Sequence, residues 1–454
     1  MRDMVTLLSF RIVLLAGLCA ATPACQDPAD TDPPNADANA SASFQEAVDT
    51  ASAEAALTVV TLEREPVSGD VAHYTVVLRL GDAPSAEIAV HCVVHERSPW
   101  IPQPAASAVV LLHGDFATFP SNFLPQPAGP EGPANRGLAG YLIDQGIEVW
   151  GIDRRWTRTP ADATDFSDYA TMGLAEELED TGRALAFARA VRALTGSGVG
   201  PLILGGFSHG AQIAYEYAGV ESQKPEAQRH IKGLVPIDIY DHIAPEDEAL
   251  RQAACASRDS GLSLLESGSL AGDNSFFADM GKLAENKPDD PSTLLDTYTN
   301  RGLMLEFMGQ TWMYFTPTPK YHLAGGVVEG GVVTSLRYSP EVRIQRWLAA
   351  APPFASTLEG VDLDAIWCGE APRPVPDHLA DIQVPLFYVG AAGGFGARGL
   401  HTMTQVGSAD VTTLVVSKLP AAQEAEDLGH GDLLYGDEAP ALAWEPIAAW
   451  IKGH

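Results

Sequence analysis

Residues 202–210 read Leu-Ile-Leu-Gly-Gly-Phe-Ser-His-Gly, a short apolar run followed by a serine between glycines. The apolar run is typical of a strand buried on both faces, and the pattern from Ala211 onward predicts a helix. Gly206 and Gly210 complete a G-x-S-x-G pattern, whose turn is so tight that side chains at both glycines would collide with backbone. We therefore expect a strand, a sharp turn and a helix, with Ser208 exposed at the helix N-terminus as a candidate nucleophile.

Other short apolar runs lie on both sides of this segment, and helix-like stretches separate them. The runs cover residues 108–112, 148–152, 202–204, 234–237, 384–389 and 413–416. Ahead of them, three alternating segments, residues 57–62, 74–80 and 88–95, predict antiparallel strands. Alternation of strand and helix predicts an α/β fold with a mostly parallel sheet and helices on both faces.

The segment between the strand that ends near Asp238 and the strand that begins at Val384 is far too long for one crossover. We predict an inserted lid or cap over residues 242–375, which leaves residues 45–241 and 376–454 as the α/β core. Residues 303–315 of this insertion are rich in Met and aromatic side chains. They form either the core of the lid or part of the wall of a substrate cleft.

The beginning of the chain predicts a signal peptide over residues 1–24. Two arginines flank its first residues, residues 12–21 are almost wholly apolar, and Ala24 is a small residue suited to cleavage. This apolar run is too short for a stable membrane anchor. Residues 25–44 are rich in Asp, Pro, Ala and Asn and predict a disordered acidic tether. We expect the chain to be exported, either secreted, periplasmic or lipid-anchored in a bacterial envelope.

Cys25 follows the predicted cleavage site directly, as the lipidated cysteine does in bacterial lipoproteins. Thr22 departs from that pattern, because lipoprotein signals usually have Leu three residues before the cysteine. A lipid anchor through Cys25 and simple secretion therefore both stay open. In an oxidising compartment we expect Cys255 to pair with Cys368, since both lie in the insertion, and Cys92 to be a buried small hydrophobic residue.

The charge balance excludes several classes of partner. The chain has 28 Lys and Arg against 59 Asp and Glu, a formal net charge of -31. This is the opposite of the basic footprint of a nucleic-acid-binding protein, and it also disfavours anionic membrane surfaces. The sequence has neither metal-ligand spacing of Cys and His nor a phosphate-binding glycine loop, so we expect no metal and no cofactor.

Motifs in the expected order resemble the α/β-hydrolase fold superfamily, in particular its lipase-like and esterase-like serine hydrolases. Residues 111–115, Leu-Leu-His-Gly-Asp, resemble the first strand-to-loop motif, and residues 150–155 are similar to the following strand. Residues 428–434 resemble the loop that carries the catalytic histidine. The resemblance covers most of residues 55–454. It implies Ser208 as nucleophile, His430 as base, and the backbone amides of Asp115 and His209 as oxyanion-hole donors.

The residues themselves also favour His430 as the base. It lies in a glycine-flanked loop after the last predicted strand, and imidazole is the side chain best suited to exchange a proton with a hydroxyl near neutral pH. His378 and His401 are weaker alternatives.

The acid is where the sequence departs from the family pattern. The family usually places it after the strand at residues 384–389, but residues 390–398 read Gly-Ala-Ala-Gly-Gly-Phe-Gly-Ala-Arg. Some members place it after the preceding strand, where Asp238 is the first choice, at the carboxyl edge of the sheet, and Asp241 the second.

The carboxylate of Asp115 poses a separate question, since it lies beside the expected oxyanion site. A carboxylate there is unfavourable unless it is turned away or paired, and Arg154 and Arg155 are candidate partners.

The resulting hypothesis is an exported serine hydrolase that cleaves carboxylic esters through a Ser-His-Asp triad and an acyl-enzyme. A small-molecule ester, apolar in character, is the expected substrate, with Phe116, Met308 and Trp312 as substrate-binding residues. A serine peptidase or acyltransferase on the same fold is an alternative. A non-catalytic binding protein is another, because the usual acid is missing.

Overall fold

The computed structural model describes residues 36–83, 85–125, 136–311, 321–370 and 372–454. Its strands are β1 (Thr58–Ser68), β2 (Val71–Arg79), β3 (Glu87–Ser98), β4 (Ile101–Pro102), β5 (Ser107–Leu112), β6 (Ile147–Asp153), β7 (Leu202–Phe207), β8 (Ile231–Ile237), β9 (Ala271–Asp273), β10 (Gly326–Glu329), β11 (Val332–Leu336), β12 (Phe354–Ser356), β13 (Leu386–Ala391) and β14 (Val411–Val416). Its α-helices are α1 (Ala36–Glu54), α2 (Phe119–Phe123), α3 (Gly137–Asp144), α4 (Leu174–Thr195), α5 (His209–Ser222), α6 (Glu248–Glu266), α7 (Ser275–Asn286), α8 (Asn300–Gly309), α9 (Glu341–Ala349), α10 (Thr357–Cys368), α11 (Gly396–Met403), α12 (Asp432–Tyr435) and α13 (Glu445–Gly453).

One large sheet has the strand order β1-β2-β3-β6-β5-β7-β8-β13-β14, with β4 paired to β3 at the side. The strands from β1 to β3 are antiparallel to one another, and β3 is antiparallel to β6. From β6 to β14 every neighbouring pair is parallel. The predicted α/β fold is confirmed. The central strands read as continuous apolar runs because helices cover both faces of the parallel part of the sheet.

The prediction of a disordered tether over residues 25–44 is wrong for its C-terminal part. Residues 25–35 lie outside the described residues, but α1 begins at Ala36, inside the predicted disordered tether. Phe44 and Val48 are buried, and the Phe44 ring lies 4.5 Å from that of Tyr74 on β2. A composition typical of disorder is thus overridden where apolar residues recur on one helix face and pack against the sheet. None of the helices in the described ranges is both long and apolar enough to cross a membrane.

The segment between β8 and β13 carries α6 to α10 and two small antiparallel sheets, β10 with β11 and β9 with β12. A disulfide joins Cys255 of α6 to Cys368 of α10, as predicted. Because it closes a loop of 113 residues, the loop-entropy model assigns it a stabilisation of about 4 to 5 kcal/mol. Cys92 is a buried free cysteine, also as predicted.

The Met-rich segment of the insertion, residues 303–315, belongs to the hydrophobic core over residues 303–311, which are the residues that the structure describes. Leu303, Met304, Phe307 and Met308 of α8 are all almost completely buried. They join a cluster that includes residues of α7, α9 and the sheet. The interpretation of this segment as core is therefore confirmed for α8.

Candidate active site

The turn between β7 and α5 has the tight geometry that its glycines predict. Ser208 adopts φ 57° and ψ -135°, a strained conformation for a residue with a side chain. A Cβ on Gly206 would lie 2.3 Å from the carbonyl oxygen of Gly210, and one on Gly210 would lie 2.2 Å from that of Leu112. Both glycines are therefore required if Ser208 is to project from the sheet edge.

His430 lies in the loop before α12, and its neighbours fix the position of its ring. The ring stacks on Phe207, the residue before the serine, with centroids 4.3 Å apart, and makes a T-shaped contact with Phe395 at 5.2 Å. The backbone N–H of His430 donates to the carbonyl of His322 at 2.9 Å. His430 Nδ1 lies 2.8 Å from Asp238 Oδ2, which leaves Nε2 as the nitrogen for proton transfer.

The carboxylate of Asp238 is completely buried, and the glycine-rich loop after β13 holds it. The backbone N–H groups of Ala391 and Phe395 donate to Oδ1 at 2.8 and 3.2 Å. A Cβ on Gly394 would lie 2.2 Å from Oδ2, so only glycine leaves room for the carboxylate. The loop after β13, in which the family usually places its acid, thus binds the carboxylate of Asp238, which follows the neighbouring strand β8. The glycines of residues 390–396 were the available signal, and sequence reasoning missed their role.

Asp241, the second choice for the acid, has other partners. It is buried, but within the described residues no hydrogen bond or ion pair joins it to His430, which contacts Asp238. The backbone N–H of Asp241 donates to Thr402 Oγ1 of α11 at 2.9 Å, and Asp241 Oδ2 lies 3.5 Å from His242 Nε2. Burial, and then the nearby Glu216 carboxylate, raise the pKa of Asp241 well above its ordinary value. Its environment therefore favours a neutral carboxyl group.

The alternative histidines also lie apart from the serine. His378 pairs with Asp381 at 3.0 Å on the surface, and His401 lies on α11. His430 is the one histidine of the three that lines the cavity with Ser208.

The loop after β5 lies against the serine. A Cβ on Gly114 would come within 2.8 Å of Ser208 Cβ. Asp115 and His209 line the same cavity as Ser208 and His430. Within the part of the chain that the structure describes, the backbone N–H groups of Asp115 and His209 make no hydrogen bond to another protein group. Both amides are thus free to bind an oxyanion formed beside Ser208.

The peptide that carries the Asp115 N–H is clamped from its other side. The Gly114 carbonyl accepts hydrogen bonds from Arg154 Nη2 at 2.9 Å and from His113 Nδ1 at 2.8 Å. Because the carbonyl and N–H of a trans peptide point in opposite directions, this clamp turns the Asp115 N–H away from Arg154. Burial, followed by the Arg154 charge, lowers the pKa of His113 to about 3, so its ring is neutral near neutral pH.

The contacts that hold the Gly114 carbonyl extend to the insertion through Arg154. Buried Arg154 pairs with Glu359 of α10, and Glu359 also accepts a hydrogen bond from Trp156 Nε1 at 2.5 Å. Removing one partner of such a buried pair leaves a charge without compensation. The position of the Gly114 carbonyl therefore depends on a side chain of α10.

The partner predicted for the Asp115 carboxylate is wrong. Arg154 is engaged by Glu359, and Arg155 by Asp180 at 2.6 Å. Asp115 instead pairs with the side chain of His209. Burial opposes both charges, but their mutual attraction outweighs it, so the pKa of Asp115 is lowered and that of His209 is raised.

A cavity of about 310 Å³ opens above Ser208. Phe116 lines it as predicted and packs on Phe277 with ring centroids 3.8 Å apart. Met308 does not line it, because the side chain is fully buried in the core of α8, and Trp312 lies outside the described residues. Besides Phe116, and Phe207 before the serine, the cavity has five aromatic side chains in its wall, which sequence reasoning missed: Tyr240, Tyr321, Trp347, Trp367 and Phe395. They come from separate segments, so no periodic pattern marks them.

One cluster in the described residues has the spacing of a metal site: Cys255, Cys368 and Glu370. Its two sulfurs form the disulfide, so they are not available as thiolate ligands.

A candidate lipase from Sulfolobus solfataricus aligns with 87% of this chain and 99% of its own length, with a TM-score of 0.58 at 16% identity. The chain has the α/β-hydrolase fold. A soluble variant of monoglyceride lipase from Saccharomyces cerevisiae aligns with 87% of this chain and 96% of its own, with a TM-score of 0.46 at 13% identity. An esterase from Thermogutta terrifontis aligns with 84% of this chain and 98% of its own length, with a TM-score of 0.39 at 12% identity. No family model and no curated protein sequence matches this chain.

Proposed function

We propose that this α/β-hydrolase is an exported serine hydrolase that cleaves carboxylic esters through Ser208, His430 and Asp238. The hydrogen bond between His430 Nδ1 and buried Asp238, beside a strained serine in the same cavity, is the observation that carries the proposal. The lipases and esterases among the structures with this fold are consistent with it.

In the first half of the reaction, His430 Nε2 takes the proton of Ser208 as Oγ attacks the ester carbonyl carbon. The backbone N–H groups of Asp115 and His209 stabilise the oxyanion of the tetrahedral intermediate. The carbon–oxygen bond to the alcohol then breaks, and His430 returns the proton to the departing alkoxide. The product at this stage is an acyl group on Ser208.

In the second half, His430 takes a proton from water, which attacks the acyl carbon. The second tetrahedral intermediate collapses, Ser208 regains its proton from His430, and the carboxylic acid leaves. Asp238 keeps Nδ1 protonated and stabilises the imidazolium that forms twice in the cycle. Its complete burial and two backbone N–H donors keep that carboxylate in one orientation.

The test is labelling with a fluorophosphonate together with hydrolysis of p-nitrophenyl esters of increasing chain length. We expect the wild-type protein to be labelled and to hydrolyse esters, and the Ser208→Ala variant to do neither. Equal labelling of the two proteins would contradict the assignment of the nucleophile. Cleavage of peptide amides in preference to esters would favour a peptidase, and transfer of the acyl group to an added alcohol in preference to water would favour an acyltransferase.

Export is part of the same proposal, with residues 1–24 as a signal peptide. The disulfide between Cys255 and Cys368 supports it, because such bonds persist mainly in oxidising compartments. Mass spectrometry of the mature N-terminus tests both possible outcomes for Cys25. A diacylated Cys25 identifies a lipoprotein, an unmodified N-terminus identifies a released protein, and an intact Met1 would contradict export.

A further inference from the structure

The wall of the cavity contains a carboxylate that forms no ion pair within the described residues. Asp364 of α10 lines the cavity, and Ser257 Oγ of α6 donates to it at 2.6 Å. Neither lysine nor arginine is among the described lining residues. Arg258, which follows Ser257, pairs with Asp259 at 2.8 Å. A neutral hydroxyl is therefore the direct partner of this carboxylate.

The other two carboxylates that contact the site each have a histidine as direct partner. Asp115 is paired with His209, and Asp238 accepts a hydrogen bond from His430 Nδ1. Arg398, a basic group that acts on the Tyr240 side of the cavity, lies 3.8 Å from Asp247. Burial raises the pKa of Asp364 despite its Ser257 bond and the more distant His209. A partly buried, unneutralised carboxylate of this kind gains most from a positive charge beside it.

Aromatic faces surround the same part of the cavity. Trp367 lies three residues after Asp364 on α10, so the two side chains are neighbours on the helix surface. The Trp367 ring lies 4.9 Å from that of Tyr240, and its Nε1 donates to the Tyr240 carbonyl at 3.1 Å, which fixes the ring. Tyr240 in turn meets the edge of Phe395 at 5.7 Å. Fixed aromatic faces attract cations, and a nearby carboxylate adds to that attraction.

We propose that the preferred substrate of this site is an ester that carries a cationic nitrogen, with the cation held between Asp364 and the faces of Trp367 and Tyr240. The proposal rests on the serine-esterase function and assigns it a class of substrate. The formal net charge of -31 acts in the same direction, because it raises the local concentration of cations at the protein surface. A neutral ester would leave the Asp364 charge unmatched, and an anionic one would be repelled by it.

The test compares two esters of the same shape, a choline ester and the corresponding 3,3-dimethylbutyl ester, in which carbon replaces the quaternary nitrogen. We expect the wild-type kcat/KM for the choline ester to exceed that for the neutral ester by roughly tenfold, in line with a partly desolvated cation–π contact. Asp364→Asn keeps the size and the Ser257 hydrogen bond but removes the charge. We expect it to lower this ratio clearly while leaving some preference for the cation, because only the aromatic faces then attract it.

Asp259→Asn is the matched control. It removes one negative charge from the exposed surface of α6 near Arg258 and does not line the cavity, so the ratio should stay as in wild type. Equal kcat/KM values for the two esters in the wild-type protein would overturn the proposal, as would an unchanged ratio in Asp364→Asn.

Binding to the Ser208→Ala protein separates this inference from the proposed function. Calorimetry should show tighter binding of the choline ester than of the neutral ester even where no ester is cleaved. Hydrolysis of neutral p-nitrophenyl esters without a preference for the cation would overturn the inference and leave the esterase assignment intact. Preferential binding of the cation by a protein without esterase activity would support the inference and contradict the assignment.

Discussion

Two pairs of histidine and aspartate flank Ser208, and they differ in what surrounds them. His430 and Asp238 are 3% and 0% exposed, and backbone N–H groups hold the carboxylate. His209 and Asp115 are 20% and 36% exposed, and their backbone N–H groups are the proposed oxyanion-hole donors. The same two functional groups thus form a rigid buried pair on one side of the serine and a partly solvated pair on the other. Burial and backbone support, rather than residue type, identify the pair suited to catalysis.

The largest expected effect comes from breaking the buried pair. In Asp238→Asn, the amide can donate to His430 Nδ1 and stabilise the wrong tautomer, so we expect kcat to fall by about 10⁴. Ester hydrolysis at saturating substrate measures it. Asp241→Asn is the matched control, since its raised pKa makes the native side chain resemble the amide, and its kcat should stay within about threefold of wild type. A large loss in Asp241→Asn alone would reverse the assignment of the acid.

A backbone change should weaken the buried pair without removing either side chain. Gly394→Ala places a methyl group 2.2 Å from Asp238 Oδ2, so the carboxylate must shift away from His430. We expect kcat to fall by about 10² with little change in KM, because misplacement of a catalytic group acts on the transition state.

Gly360→Ala, at an exposed position of α10, meets no atom within 4 Å and serves as the control. It should raise the free energy of unfolding by about 0.5 to 1 kcal/mol and leave kcat unchanged. Normal activity in Gly394→Ala would show that Asp238 does not need this fixed position.

The next effect concerns the partly solvated pair of His209 and Asp115, and it comes from weakening the hydrogen bonds that hold the peptide of the Asp115 N–H. Glu359→Gln removes the charge that holds Arg154, so the Gly114 carbonyl loses a fixed donor. We expect kcat to fall by about tenfold at unchanged KM, and the free energy of unfolding to fall by about 3 kcal/mol. Steady-state kinetics and urea unfolding measure these changes.

Glu341→Gln, which breaks a partly exposed pair with Arg301, is the control and should affect neither quantity strongly. A loss of stability in Glu359→Gln with unchanged kcat would show that the clamp has a purely structural role.

The smallest expected effect concerns the charges of the partly solvated pair, His209 and Asp115. The pKa of His209 is raised above 6.5, so its contribution to stability is fully present below that value and is lost as pH rises through the folded-state pKa. The pKa of Asp115 is lowered below 3.8, so its contribution is present above that value and is lost as pH falls through the folded-state pKa.

Asp115→Asn should therefore destabilise the protein more at about pH 5.5 than at about pH 9. Because the pair is partly exposed, the difference should be only about 0.5 to 1 kcal/mol. Thermal unfolding of both proteins at the two pH values measures it. An equal destabilisation at both values would show that the ion pair does not contribute to folding.

Much of the fold was accessible from the sequence. Continuous apolar runs predicted the parallel strands, alternating segments predicted the antiparallel ones, and the glycines around Ser208 predicted its turn. These signals are local, because period and turn chemistry depend on residues close together in the chain. The helix that begins at Ala36 was missed, because its stability depends on the sheet beneath it.

The residues of the site likewise divide into those that local sequence signals identify and those that depend on contacts between distant segments. Ser208 and His430 could be chosen from motifs, and Asp238 from its place at the end of β8, but nothing local separated Asp238 from Asp241. That choice depends on the pairing of β8 with β13, which brings Ala391 and Phe395 to the Asp238 carboxylate and leaves the Asp241 carboxylate beside His242. The aromatic wall of the cavity and the link between Glu359 and Arg154 likewise join distant segments.

The sequence by itself determined the order of strands and helices, the serine at its turn and the acidic character of the chain. The tertiary structure alone decided which carboxylate meets His430, that His209 pairs with Asp115, and that Asp364 lies in a cavity with aromatic walls and has a serine hydroxyl as its partner. The physical reason is that hydrogen bonds and charge pairs act over a few ångströms, and only folding brings groups that are far apart in sequence within that distance.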